Sequence, residues 1–302
     1  MNLRVDLKPP IRAEVSLKSY STFKIGGMAR FFSEPRTREE LLQVLEFEKA
    51  EKTPVLIIGR GSNLLISDEG FQGLAISLRQ FESDWYRVEG ELLRVSAGMS
   101  LFRLTMVSQE QGLSGAEFVC HIPGTVGGAV VMNAGFGRRG HGYFEIKDIF
   151  HSCTVLDLET CEIKTLTKEE IRFEYRKTDF NPHSVILEAV FYLHPSSKQL
   201  VEEEIKANFA YRNSVQDLRF PSAGSTFKNP PGYSMTSGQL LDRVGMKGMR
   251  IGGAMVSERH ANFFLNVDHA SAQDVLDLIH LAQKKVFEAF GIQLEPEVRF
   301  VG

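Results

Sequence analysis

The chain has 302 residues, 43% of them hydrophobic and 24% charged, enough for two or three packed units at roughly 150 residues each; that balance excludes a disordered, collagen-like or coiled-coil chain. With 35 Lys+Arg against 38 Asp+Glu the formal net charge is -3, so no global basic field is present for sequence-independent nucleic-acid binding. Cys120, Cys153 and Cys161 form no C-x-x-C pair, which leaves neither a disulfide framework nor a zinc site, and no apolar run marks a signal peptide or membrane span, so a cytoplasmic address is expected.

Thr37-Arg38-Glu39-Glu40 has the form of a capping box. Leu41, Leu42, Val44 and Leu45 follow at helical spacing and predict a helix to about Lys49. Residues 55–58, before Gly59, and 74–78, after Gly73, are short apolar runs bounded by glycine and read as strands. Between them Gly59-Arg60-Gly61-Ser62-Asn63-Leu64 begins like the dinucleotide fingerprint, but Leu64 stands in the third glycine place. A turn signal at residues 67–70 replaces the helix that a Rossmann unit requires. Two readings stay open for this loop: backbone N–H groups facing a phosphate, or a plain turn between strands.

A strand at residues 92–96 and a helix from Leu101 to about Gln109 lead into a glycine-rich passage, residues 112–142. Ordering so much glycine costs backbone entropy, which a bound or closely packed group must offset. Ile122-Pro123-Gly124-Thr125-Val126-Gly127-Gly128-Ala129 lies within it and lacks the Lys-Ser/Thr ending of a triphosphate loop, so ATP hydrolysis is unsupported. Thr125 offers a hydroxyl, and the three glycines permit close approach of a ligand. Two phosphate-facing loops in one chain point to a dinucleotide held from two sides. Residues 154–158, 162–166 and 185–193 then read as antiparallel sheet, and the polar stretch 194–198 as a linker. Beyond it come a helix from about Lys198 to Tyr211 and a second one capped by Ser271, with Val275, Leu278, Ile279, Ala282 and Val286 on one stripe.

The segment Pro221-Ser222-Ala223-Gly224-Ser225-Thr226-Phe227-Lys228-Asn229-Pro230 is either a capped turn or a site. Ser225 lacks the G-x-S-x-G elbow and no spaced Asp/His pair serves it, which leaves proton donation as the chemistry of its hydroxyl. Glu297 precedes Val298 and Phe300, which alternate with charges as in a short strand; carboxylates in such places usually pair with an arginine. His260 and Arg176, taken singly, read as surface residues. The residues by themselves reach a nucleotide-binding α+β protein.

Seven segments in order carry a resemblance across nearly the whole chain: residues 21–27, 59–65, 115–118 with 122–134, Tyr175-Arg176, 223–230, 252–266 and 295–302. Together they closely resemble the UDP-N-acetylenolpyruvoylglucosamine reductase family of flavoenzymes in bacterial peptidoglycan precursor synthesis. The resemblance implies a two-subdomain FAD-binding fold of the vanillyl-alcohol-oxidase type, residues 1–80 and 81–197. A C-terminal substrate-binding α+β domain, residues 198–302, follows, and its last strand returns to the active site. It implies FAD contacts at Gly59, Gly61, Ser62, Asn63 and Leu64 and at Pro123, Gly124, Thr125, Gly127 and Gly128.

The implied reaction reduces an enolpyruvyl ether to a D-lactyl ether, with NADPH as hydride source. Arg176 would bind the substrate carboxylate, protonated Glu297 would stabilise the enolate, and Ser225 would protonate C2. Substrate contacts carry over to Asn229 and His260, with Arg212 and Lys228 assigned to the pyrophosphate or uridine. No metal and no nucleic-acid or membrane partner is implied, and a monomer is expected. The sequence departs from the common pattern at Arg60, Thr178 and Met246. Only 48 residues separate Arg176 from Ser225, which matches the shorter, second subtype. Two other readings share the loops: a flavin oxidase using O2, against which the Ser225 and Glu297 motifs argue, and a catalytically idle flavin-binding protein.

Overall fold

Short β-branched runs become strands and capped amphipathic runs become helices in the structure, a computed structural model that describes residues 10–138 and 140–302. The chain divides into two units. The first takes residues 10–13, then Phe31–Arg60 and Gly73–Arg212; the second takes Glu14–Arg30, Gly61–Gln72 and Asn213–Gly302.

In the first unit a five-stranded antiparallel sheet runs in the order Ile163–Thr167, Phe150–Asp157, Ser184–Tyr192, Leu92–Ser96, Tyr86–Glu89. Its central strand Ser184–Tyr192 is buried from Val185 to Phe191 and is apolar there except at Glu188, which Arg94 and Thr154 hold by hydrogen bonds, whereas the edge strand Ile163–Thr167 is largely polar. Leu93, Val95, Ala189 and Phe191 pack with Leu101, Leu104 and Val107 of the helix Leu101–Gln111 in one core. Ser100 Oγ caps that helix on the Arg103 amide, and Gly112, at φ 66°, ends it two residues later than the sequence predicts.

A four-stranded sheet has the order Ile11–Ser16, Met28–Ser33, Phe71–Ser77, Val55–Ile58, with its last two strands parallel. The helix Arg38–Glu51 begins where expected, Thr37 Oγ1 accepting the Glu40 amide, and buries Leu41, Val44 and Leu45. Leu42 is 42% exposed, because it lies about 100° round the helix from Leu41 and falls off the buried stripe. The helix Lys198–Val215 buries Val201 and Ile205 against Cys120, and the chain passes into the second unit after Arg212, beyond the polar linker. All three cysteines are free, and burial pushes the Cys120 and Cys153 thiols up to about 12.

The second unit pairs Arg250–Ile251, Ala254–Val256 and Phe264–Asn266 in an antiparallel sheet. Helix Ala272–Phe290 carries the expected stripe, with Val275, Leu278, Ile279, Ala282 and Val286 all buried. Ser271 and Asp274 form its capping box, and Asp68 accepts the Ala272 amide at 3.0 and 2.9 Å, an anion at the positive end of the helix. The C-terminal strand Arg299–Val301 pairs in parallel with Leu64–Ile66, which follows directly on the first glycine loop. No described helix is long and apolar enough to cross a membrane.

Candidate active site

The first glycine loop owes its shape to its glycines. Gly61 sits at φ 61°, and a Cβ there would fall 2.0 Å from the Tyr20 carbonyl oxygen. Gly61 O also accepts the Thr22 amide at 3.3 Å. None of the amides of residues 59–62 is donated to another backbone group among the described residues. Consecutive undonated N–H groups in such a turn form a cradle for phosphate oxygens, so the loop suits a dinucleotide pyrophosphate.

The second loop is built differently. Gly124 N donates to Ile122 O at 2.8 Å, Val126 N to Met99 O at 2.9 Å and Gly127 N to Ala97 O at 2.9 Å. Thr125 Oγ1 accepts the Gly128 amide at 3.4 Å and so caps the helix Val126–Val131. These amides are held inside the protein, and Pro123 has none. The second loop is therefore not the amide nest expected from its glycines; Gly59 explains part of its form, since a Cβ there would come within 2.4 Å of Thr125 Oγ1.

Arg176 lies in the two-residue turn of the hairpin formed by Phe173–Glu174 and Lys177–Thr178, at φ 58°. Its side chain is 13% exposed, so the surface reading fails. Nη2 donates to Gly135 O at 3.0 Å, and the rings of Tyr175 and Tyr143 stand 5.1 and 5.6 Å from the guanidinium carbon.

In the second unit the structure brings Ser225 and Glu297 together through the residue between their strands. Ser225 bridges to Phe263 and Phe227 to Pro296, so residues 225–228 run between two other segments. Glu297 N donates to Thr226 O at 2.8 Å, next to Ser225, and Thr226 N donates to Asn262 O at 2.8 Å. The Asn262 side chain clamps Phe227 from both sides, its Oδ1 accepting the Phe227 amide at 2.9 Å and its Nδ2 donating to Phe227 O at 2.8 Å. Asn63, from the first glycine loop, donates through Nδ2 to Glu297 O at 2.9 Å and accepts the Arg299 amide at 2.9 Å. Asn63 and Glu297, whose backbone carbonyl it holds, are 234 positions apart in sequence.

The remaining candidates are distributed. Lys228 Nζ pairs with Glu295 at 2.5 Å, the lysine side chain 17% and the glutamate 71% exposed. Asn229 Oδ1 accepts the amide of Ser237, first residue of the helix Ser237–Arg243, at 3.0 Å. His260 Nδ1 accepts the Asn262 amide at 3.2 Å, and burial, with Lys247 adding to it, lowers its pKa. A neutral ring in that state carries its hydrogen on Nε2. Its turn is held by Ser257 Oγ, which accepts the Arg259 and His260 amides and donates to the buried Asp217. Arg219 holds Asp217 with two 2.9 Å bonds and brings its carboxyl down to about 2. Arg212 belongs to the first unit, where its Nη1 lies 3.3 Å from His121 Nδ1 and burial lowers its pKa to about 10. Sequence reasoning missed Asn262 and Asp217, whose roles arise from pairing with distant backbone.

Similarity to known proteins makes this chain an FAD-dependent oxidoreductase. The FAD binding domain family matches residues 29–167, and the C-terminal domain family of UDP-N-acetylenolpyruvoylglucosamine reductase matches residues 216–301. The reductase of that name from Caldicellulosiruptor bescii is 42% identical over 289 residues, 95% of this chain and 89% of the relative. UDP-N-acetylenolpyruvoylglucosamine reductase 2 of Bacillus anthracis is 39% identical over 298 residues, 97% and 93% of the two chains. The crystal structure of UDP-N-acetylenolpyruvylglucosamine reductase (MurB) from Thermus caldophilus superimposes with a TM-score of 0.80 at 35% identity, covering 97% of this chain and all of the other. The chain belongs to the UDP-N-acetylenolpyruvoylglucosamine reductase family, with the length of its second subtype.

Proposed function

We propose that this protein reduces UDP-N-acetylglucosamine enolpyruvate to UDP-N-acetylmuramate with NADPH as reductant, in the cytoplasm and as a monomer. The observation that carries the reading is the Ser225–Thr226–Glu297–Asn63 chain of backbone and amide bonds, which joins a proton donor and a carboxyl group to the amide loop. Gly59, Gly61, Ser62, Asn63 and Leu64 hold the FAD pyrophosphate region through the loop amides; Pro123, Gly124, Thr125, Gly127 and Gly128 contribute a close-packed wall. FAD when bound supplies a reversible hydride carrier.

Arg176 is a preformed cation for the substrate carboxylate, whose negative charge rises as the enolpyruvyl group is reduced. Glu297, kept protonated, donates a hydrogen bond to the enolate oxygen, and Ser225 delivers the proton to C2. His260 donates from Nε2, and Asn229, Lys228 and Arg212 meet the uridine or pyrophosphate. For Lys228, a phosphate would compete with the exposed Glu295. Functionally, residues 1–80 and 81–197 form the two parts of the FAD-binding portion and 198–302 the substrate-binding portion, its last strand returning to the loop strand Leu64–Ile66.

Anaerobic reduction of the bound flavin by NADPH, followed by reoxidation on adding the enolpyruvyl nucleotide, tests the reading. Reoxidation only by O2 would indicate an oxidase, and no reoxidation by the nucleotide would remove the proposal.

A further inference from the structure

Arg176 occupies a turn position at φ 58°, uncommon for a residue with a side chain. Its guanidinium spans a strand pair. Gly135 is the direct partner of Glu145 in the hairpin of Gly135–Gly137 and Tyr143–Glu145, and Arg176 reaches both, with Nη2 on Gly135 O at 3.0 Å and Nη1 3.9 Å from Glu145 Oε1. Glycine is required opposite: a Cβ at Gly135 would lie 2.8 Å from Glu145 Cγ and 2.6 Å from Phe144 O.

Glu145 is itself fixed. Its side chain is 6% exposed, Oε2 pairs with Lys147 Nζ at 2.7 Å, and its amide donates to Asp148 Oδ2 at 2.8 Å in a capping box. Oε1 is the oxygen left for Arg176. At 3.9 Å it attracts the guanidinium without taking a hydrogen bond from it, so the contact orients Arg176 through charge.

We infer that Glu145 is the positioning residue for Arg176, setting the guanidinium for the enolpyruvyl carboxylate; this rests on the reading of Arg176 as the carboxylate ligand. Stopped-flow measurement of both half-reactions in the flavin-loaded protein tests it, with Glu145→Ala, Glu145→Gln, Arg176→Ala and the Glu145→Ala/Arg176→Ala double variant. Glu145→Ala slows reoxidation by the enolpyruvyl nucleotide by about 10- to 100-fold, the scale of a misplacement near 1 Å. Glu145→Gln, which keeps the shape and loses the charge, falls between it and the parent, and it serves as the reporter if the alanine variant does not fold. Flavin reduction by NADPH stays within about twofold of the parent, and the double variant is no slower than Arg176→Ala within about twofold, because residues acting as one unit are not additive.

Losses that multiply in the double variant, or equal damage to both half-reactions, would assign Glu145 a merely structural role. Unchanged reoxidation in both Glu145 variants beside a slow Arg176→Ala overturns the inference alone. An Arg176→Ala protein that reoxidises normally overturns the reading of Arg176 on which it rests.

Discussion

Alanine placed at Gly61 and at Gly124 separates what the glycine loops do for the fold from what they do for a ligand. At Gly61 the backbone is left-handed, φ 61°, which costs a residue with a Cβ about 1–2 kcal/mol. The new Cβ would also fall 2.0 Å from Tyr20 O and 2.9 Å from Ser21 Cα, both backbone atoms, so the loop must move by an ångström-scale step and strain the Thr22–Gly61 bond, another ~1 kcal/mol. Gly61→Ala is therefore expected to destabilise by at least about 2–3 kcal/mol, or roughly 3–5 °C in melting temperature for a chain of this size. At Gly124 the nearest atom is Leu101 Cδ1 at 3.1 Å, the movable end of a side chain, and the residue's φ lies outside the left-handed range. Gly124→Ala should cost less than about 1 kcal/mol. Thermal melts of the flavin-stripped proteins read the two costs, and absorbance of the flavin retained after purification reads the ligand. Loss of flavin by Gly124→Ala at parental stability would mark Gly124 as a cofactor contact. A Gly61→Ala protein melting within about 1 °C of the parent would refute the steric argument.

Three further outcomes are expected. Ser225→Ala leaves flavin reduction by NADPH intact and slows reoxidation by the enolpyruvyl nucleotide ~10²–10⁴-fold, the usual worth of a positioned acid, and an unchanged reoxidation trace removes Ser225 from that role. Glu297→Gln retains a hydrogen-bond donor and should reoxidise faster than Glu297→Ala; the reverse order, or equal loss in the reductive step, would make Glu297 structural. Burial, with Arg212 beside it, holds His121 down to about 3 from its ordinary 6.5. As pH falls below that ordinary value the unfolded chain binds a proton that the folded ring refuses, so stability declines until about pH 3, and His121→Gln should flatten the decline by up to about 1.4 kcal/mol per pH unit in chemical denaturation series. An identical slope in the variant would count against this assignment.

Local periodicity and punctuation determined much of this protein. The stripe from Val275 to Val286 with its Ser271 cap, the strands bounded by glycine, and the Thr37 cap are all short-range patterns, whereas the segments around Tyr175-Arg176, Ser225 and Glu297 stand out only through their resemblance to a family. Other features depended on pairings that no spacing encodes. Asn63 meets Glu297 across 234 residues because the strand Arg299–Val301 lies parallel to Leu64–Ile66, and Glu145 meets Arg176 because a hairpin sets it opposite Gly135. The two glycine loops look alike as sequence, yet one leaves its amides undonated and the other commits them to Ile122, Met99 and Ala97. A glycine run specifies that the backbone can turn tightly; which carbonyls come within reach of its amides is decided by the packing of segments remote in the chain.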